Sequence, residues 1–534
     1  MPRFRSRLLI ATFPLLAVLG QACRKDRPQP QWDVDALVPL VKVSLSINDL
    51  VPDSLLSADS MGNVSLLYST ELFTLSLDTV LTAPDTSFRY TYALPFPGPV
   101  QFPPGTTFNT NDDVTQFDLA PLELTSLIVR SGQLDVVITN MMNGHIIGNV
   151  SLPGASLDGA PFQVEMPLPP GSPSNPSTTS ASRPLDGYSF DLRGPGLNAV
   201  NSLATHLSYA NSPDGSTISI TNQDSLLATV SYHGIIPQYA SGSFGTRSLS
   251  IDPSTAELDL FRNISGTIDL AQVDARLKVR NGIGVDARAN LLYLRSRNTS
   301  TGNEIALNAP ITNGPLNIDR AIDLGHSLQA ASNTFHLGQG NSNIDQFLEN
   351  LPDKIDYALD VTINPLGNIS NGHDFLYHDS KLNATLEVEI PLRLIATNLV
   401  LGKTLDVDLP GSEDAHAWRS GTLHLFATNG FPLSAEVQLA VAGPNGQVIS
   451  LLGPGGTVAP AQLGPGNTVV APSASRVDFR ISADQMNMIH HYGKLQATVV
   501  FNTADQGQHT QILESYRMDL QITLAANYMV NGDE

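Results

Sequence analysis

YALDVTINPLG, residues Tyr357 to Gly367, sets apolar Leu359, Val361 and Ile363 on every second position and then stops at Asn364-Pro365. A period of two puts those three side chains on one face of a half-buried strand. The same phrase returns at Leu134 to Asn140 (LDVVITN), Leu277 to Asn281 (LKVRN), Leu423 to Asn429 (LHLFATN) and Leu495 to Asn502 (LQATVVFN). Each copy closes on an asparagine, a turn residue that tolerates left-handed backbone. Asn140, Asn281, Asn364 with Pro365, Asn429 and Asn502 are therefore the expected structural turns. The steps between them run from 65 to 141 residues, too irregular for a tight solenoid and suited to separate modules. The fold class expected is all-β, tandem antiparallel β-sandwich-like domains with a few short helices.

Composition agrees. Hydrophobic residues are 41% and charged residues 15% of the chain, and 41 Gly with 37 Pro match a turn-rich β protein. At 534 residues the chain exceeds one ordinary core, so several domains are expected. A net charge of −21 argues against nucleic acid or an anionic membrane surface as a general electrostatic partner.

Met1 to Ala22 carries Arg3, Arg5 and Arg7, an apolar run from Leu8 to Leu19, then small residues before Cys23. That order reads as a secretory signal. Twelve residues reach only about 18 Å as helix, short of a bilayer core of about 30 Å. Cys23 is the single cysteine, which excludes an intramolecular disulfide. Leu19-Gly20-Gln21-Ala22-Cys23 resembles the lipobox of bacterial lipoproteins, with Ala22 fitting and Gly20 standing where such boxes usually carry Leu. The first 60 or so residues look like exported lipoproteins of Bacteroidota. The resemblance implies lipidation at Cys23 and attachment to the outer membrane on its periplasmic or cell-surface face.

The chain then divides, by its punctuation, into a tether at 23–35, a β domain at 36–166, a linker or long loop at 167–185, a second domain at 186–340 and a third, of one or two subdomains, at 341–534. The linker is assigned from PLPPGSPSNPSTTSASRP, Pro167 to Pro184, which offers no core residue after Leu168. Asn143-Gly144 and Asp214-Gly215 read as hairpin turns. Tyr239 to Gly245 (YASGSFG) reads as a tight aromatic and glycine corner. Short helices are expected at Ile344 to Leu348, capped by Ser342 or Asn343, and from Ser482 or Asp484 to His491, with a weaker case at Ile268 to Ala275.

The Leu-x-Val-x-Ile-x-Asn-Pro phrase is similar to the strand signature of water-stress and late-embryogenesis-abundant β-sandwich domains, with Asn364-Pro365 matching in full. The resemblance implies a seven-stranded sandwich or a related apolar-cored β fold and carries no catalytic residue.

Chemistry is sparse. No Gly-x-Ser-x-Gly elbow occurs, and a thiol enzyme is excluded because Cys23 lies at the processing site. Gly194-Pro195-Gly196-Leu197-Asn198-Ala199 matches a dinucleotide-binding pattern only formally, since no helix-forming run follows it. His373-Asp374 and His378-Asp379, with His490-His491, make the most metal-like cluster, so His373, His378 and Asp379 are the candidates set against a solvated turn. Asn109, Asn111, Asp112 and Asp113 lack the closing acid of a calcium loop. Neither a metal nor a cofactor is expected. With only Trp32 and Trp418, a sugar-stacking platform is thin.

Three functions stay open from these residues. The leading one is a lipid-anchored, exported, non-enzymatic envelope protein with a structural, adhesive or binding role. The others are a periplasmic carrier of hydrophobic ligands or lipids, and a hydrolase with loop carboxylates. The partners implied are a membrane reached through the N-terminal lipid and a hydrophobic ligand or envelope protein, with no nucleic acid.

Overall fold

The structure, a computed structural model, describes residues 31–531 apart from 50, 52, 77–80, 82, 96, 262–263 and 408–417. The signal at 1–22, Cys23 and the tether up to residue 30 lie outside the described residues. The fold is all-β, with 63% strand and 6% helix and antiparallel sheets throughout.

Strand pairing resolves the chain into three units of eight strands. Numbered 1 to 8 along the chain, the strands of every unit pair in the order 1-8-3-6 in one sheet and 2-7-4-5 in the other. That order is a jelly roll, two Greek keys closed into two facing sheets. With eight strands per unit, the fold is the related apolar-cored β fold and not the seven-stranded sandwich. In the inner roll, strands 1, 3, 6 and 8 are Thr86–Ala93, Glu123–Asn140, Ser177–Pro184 and Ser225–Ser243; strands 2, 4, 5 and 7 are Thr107–Gln116, Ile146–Leu157, Ala160–Leu168 and Ser202–Asn211. The middle roll pairs Val64–Leu75, Leu382–Pro391, Asp274–Asn281 and Ala331–Gly338 against Arg247–Glu257, Lys354–Ile363, Ala287–Arg297 and two short fifth strands, Glu304–Ala306 and Leu316–Ile318. The outer roll pairs Gln31–Leu45, Met518–Asn531, Trp418–Asn429 and Ser473–Ile481 against Arg393–Asp406, Lys494–Thr503, Leu433–Ala442 and Val448–Val458.

The rolls are nested rather than tandem. The inner roll occupies the connection between strands 1 and 2 of the middle roll, and both together occupy the same connection of the outer roll. The partition at 36–166, 186–340 and 341–534 therefore does not follow the sheets, because nothing local in a sequence says that Val64–Leu75 pairs with a strand three hundred residues later. The first strand also begins at Gln31, so residues 31–35 of the expected tether are paired, in register from Gln31 with Asn531. The Pro/Ser-rich linker is a correction too. Ser177–Pro184 pairs with Gln133 to Asn140 as the edge strand of the inner roll, where a polar, proline-ended strand is tolerated because one side needs no partner.

Alternation drives each strand into place. Leu134, Val136 and Ile138 are buried while Asp135, Val137 and Thr139 face outward or lie half-buried. Each inward Leu, Val or Ile contributes roughly 1.5–3 kcal/mol by leaving water. In the middle roll, Leu277, Val279, Leu294 and Leu359 pack between the sheets and leave only about 30 Å³ of space. The Tyr357 hydroxyl crosses that core to donate to the Leu72 carbonyl.

The helix at Ala483–Tyr492 starts with a Ser482/Gln485 capping box and ends at left-handed Gly493, as its cap residues predict. The helix at Ile344–Glu349 begins after Asn343, whose amide is engaged instead by Asn308 and Ala306. No helix forms at Ile268 to Ala275. Residues 268–270 and 274–275 belong to the strands Ser265–Leu270 and Asp274–Asn281, with the three residues between them forming the connection.

Nesting makes one fragment self-sufficient. Residues 84–246 expressed alone are expected to show a β-sheet circular dichroism spectrum and a cooperative unfolding transition. Residues 247–391 alone, lacking Val64–Leu75, are expected to stay unfolded or aggregate until a peptide of residues 56–75 is supplied. Soluble, cooperative folding of 247–391 without that peptide would contradict the nested pairing.

Candidate functional site

The repeated asparagines fall into two groups. Asn140, Asn281 and Asn429 end strand 3 of the three rolls, are fully buried, and make the same three hydrogen bonds. Each side-chain oxygen accepts from the N–H two residues on (Met142 2.8 Å, Ile283 2.9 Å, Phe431 2.9 Å). Each amide donates to the carbonyl four residues on (Gly144 3.2 Å, Val285 2.9 Å, Leu433 2.8 Å). It donates as well to the carbonyl of the first residue after strand 5 (Pro169 2.7 Å, Asp319 2.9 Å, Ala459 2.9 Å). The chain at these points crosses from one sheet to the other, so Asn143-Gly144 is a corner and not a hairpin: Glu123–Asn140 pairs with strands 6 and 8 of its own sheet. A buried amide that satisfies both loops replaces the hairpin ladder.

Asn364 and Asn502 end strand 7 instead. Among the five, only Asn364 has the left-handed backbone expected of the set, with φ 46. Pro365 follows it half-buried. Asn502 is half-buried and accepts from the Asn398 N–H at 2.8 Å.

Asn364 opens onto the junction of the inner and middle rolls. Its amide donates at 2.7 Å to Asp374, which also accepts from the Phe244 N–H at 2.9 Å and faces Arg320 at 3.4 Å. Asp374 is fully buried. It begins the short strand Asp374–Tyr377, which leaves the middle roll and pairs with Tyr239 to Gly242 of the inner roll. Gly242 also packs tightly within the inner roll, where a side chain would meet the Glu123 carbonyl oxygen at 2.1 Å. The YASGSFG corner is thus the seat of an inter-roll clasp.

Beside the clasp lies a cleft of about 590 Å³, walled by Arg193, Tyr239 and Ser241 of the inner roll and by Arg320 to Asp323 and Asn371 to Phe375 of the middle roll. Tyr239 and Tyr377 donate to the two oxygens of Asp323 at 2.7 and 2.8 Å, their ring centroids 4.9 Å apart, and the Gly325 N–H adds a third bond at 2.8 Å. Burial pushes the Asp323 carboxyl up, but these three donors outweigh it and hold it below the ordinary carboxylate value. Burial, then the facing carboxylate, pushes the Tyr239 phenol up to about 12. Arg193 grips Asp191 through Nε and Nη2 at 2.9 and 2.7 Å. Both carboxylates that line the cleft are engaged by the protein itself, and the guanidinium edges of Arg193 and Arg320 keep donors to offer.

A depressed carboxyl stabilises the fold above its unfolded pKa and loses that contribution as pH falls through its folded pKa. Asp323→Asn is therefore expected to lower stability at neutral pH and to flatten its decline on acidification, read as urea midpoints down the acid range. A decline as steep as the wild type's would rule out Asp323 as a contributor.

The metal candidates do not assemble. His373 is exposed and its Nδ1 lies 3.0 Å from the Ser370 and Asn371 carbonyls, His378 is half-buried, and Asp379 is exposed. His490 and His491 sit in the last turn of the outer-roll helix. Among the described residues, no three His, Cys, Asp or Glu side chains converge as metal ligands. Gly194 to Ala199 forms a turn and loop with no helix after it. Asp112 and Asp113 share a groove with Asp191 and His206, and Asp112 lies 2.5 Å from His206. Of the junction residues, the sequence had signalled Asp374 only as the neighbour of His373; Arg320, Asp323, Tyr377 and Arg193 carried no local pattern.

The fold and junction define an all-β protein of three nested jelly rolls. No family model matches the chain, and no curated protein does. Among solved structures it is similar to one described as a "putative secreted protein" from Parabacteroides distasonis, at 13% identity and a TM-score of 0.26, over 52% of this chain and 82% of that one. It is also similar to one from an archaeal virus described by a triple jelly roll fold and turret assembly, at 12% identity and a TM-score of 0.10, over 84% and 90% of the two chains. The jelly-roll assignment rests on the strand pairing of this chain alone.

Proposed function

We propose that the chain is an exported, lipid-anchored, non-enzymatic component of a bacterial envelope, with a structural, adhesive or binding role. The observation that carries it is the order Arg3-Arg5-Arg7, apolar run, Ala22-Cys23. The described structure begins eight residues later, at Gln31, in the outer roll. Eight residues span at most about 28 Å, so an acyl group at Cys23 would hold the outer roll close to the bilayer. Engagement of Asp323 and Asp374 by tyrosine, asparagine, arginine and backbone partners supports a non-catalytic reading over a hydrolase, which would need free convergent acids.

A carrier of hydrophobic ligands would need a pocket of about 300–1,000 Å³ lined by apolar side chains. The apolar space between the sheets of the middle roll is about 30 Å³, too small to house such a ligand within that roll. Cys23→Ala, or globomycin treatment, is expected to move the protein from the membrane to the soluble fraction; unchanged membrane retention would refute the anchor. Extraction and mass spectrometry of the soluble form should find no stoichiometric lipid.

A further inference from the structure

On the outward face of the outer roll's 1-8-3-6 sheet, side chains opposite one another on adjacent strands form rows, and two neighbouring rows differ in size. One row reads Lys42, Gln521, Phe426, Arg476 across the four strands, and the next reads Ser44, Asp519, Thr428, Ala474. Small residues beside large ones leave a step. A cleft of about 560 Å³ lies there, walled by Lys42, Gln521 and Phe426, with the second row as its floor. That volume suits a small-molecule site.

Opposite charges on neighbouring strands stabilise a sheet when they pair. Beside the cleft they do: Asp478 accepts from Arg476 Nε at 2.8 Å and lies 2.7 Å from His424 Nδ1. Within the cleft they do not. The side chains of Lys42, Asp519, Gln521 and Thr428 are exposed and have no hydrogen bond or ion pair among the described residues. The cleft therefore offers an ammonium donor, a carboxylate acceptor, and an amide and a hydroxyl that each do both. A ligand of either net charge would be attracted by one of Lys42 and Asp519 and repelled by the other. Hydroxyl groups suit all four side chains, because a hydroxyl both donates and accepts. Phe426 adds an apolar plane, 40% exposed. Arg476 lies over its ring, 5.4 Å from the centroid, without lining the cleft, so it steadies the ring and leaves the cleft side open. A sugar ring carries the matching pair of surfaces, a C–H face and a rim of hydroxyls.

We propose that this cleft binds a neutral oligosaccharide, one ring stacked on Phe426 and its hydroxyls shared among Lys42, Asp519, Gln521 and Thr428. The proposal deepens the binding role above by naming a ligand class, and it makes no use of the anchor. The test applies the full chain, in a polyoxyethylene detergent that carries no sugar, to a microarray of neutral and uronate-bearing oligosaccharides, and titrates the retained glycans by calorimetry. Neutral glycans are expected to be retained over acidic ones, and to bind at least tenfold more weakly to Phe426→Ala and to Asp519→Ala. Gln521→Ala, which removes an exposed amide with no partner among the described residues, keeps the test valid if Phe426→Ala misfolds. The proposal is overturned if no glycan is retained, if acidic glycans bind better than neutral ones, or if the variants bind as the wild type does. Displacement of the glycans by O-phosphoethanolamine would overturn it too, by marking a site for zwitterions. A negative result leaves the structural and adhesive readings and the release of Cys23→Ala from membranes unaffected, and membrane retention of Cys23→Ala leaves the sugar site standing.

Discussion

Asn140→Ala, Asn281→Ala and Asn429→Ala are each expected to destabilise the roll that carries them by about 3 kcal/mol, whereas Asn502→Ala should cost under about 1 kcal/mol. Each of the first three side chains makes three hydrogen bonds in a fully buried site, and truncation strands one N–H and two carbonyls there. A net worth near 1 kcal/mol per bond, plus desolvated groups left unpaired, sets the size. Asp at these positions should do more harm than Ala, because a carboxylate cannot donate to two carbonyls and would be buried among them. Since the three sites lie in different rolls, their effects should add. Asn502 loses a single bond from a half-buried position. Urea unfolding of single and triple variants reads the result, and a cost for Asn502→Ala equal to the other three would refute the distinction.

Asp374→Ala should be the largest single lesion, about 3–5 kcal/mol, the range for removing one member of a buried charged network. It leaves the Phe244 N–H and the Asn364 amide without their acceptor in a dry site, while Arg320, a quarter exposed, can turn to water. Loss should be local. The strand Asp374–Tyr377 would detach from Tyr239 to Gly242, and hydrogen exchange should accelerate there before the sheets open. Asp374→Asn is expected to retain part of the stability, because its oxygen still accepts from Phe244. Unchanged exchange at 374–377 in Asp374→Ala would refute the clasp.

The middle roll is joined to both neighbours in the same way. Its Asp374–Tyr377 segment extends an inner-roll sheet, and its Ser265–Leu270 segment pairs with Arg393–Asp406 of the outer roll. Short lent strands supply backbone hydrogen bonds across each junction and bury apolar side chains there, Phe375 and Leu376 at one, Ile268 and Leu270 at the other. Nesting adds a second covalent connection at each junction, so the rolls are coupled by chain and by sheet.

Periodicity and punctuation alone determined that this is a β protein, where its strands such as Leu134 to Asn140 lie, and that a helix starts at Ser482 or Asp484. These are local properties: alternation sets which side chains face inward, and a cap is satisfied within four residues. Only the tertiary structure decided that Asn140, Asn281 and Asn429 are buried corner ties while Asn502 is not, although all four close the same phrase. It alone showed the nesting, which depends on Val64–Leu75 finding Leu382–Pro391, and the cleft, which depends on Arg193 and Arg320 converging from different rolls. The physical reason is that strand pairing and side-chain convergence are set by which apolar faces bury together across hundreds of residues, a choice that no window of sequence contains.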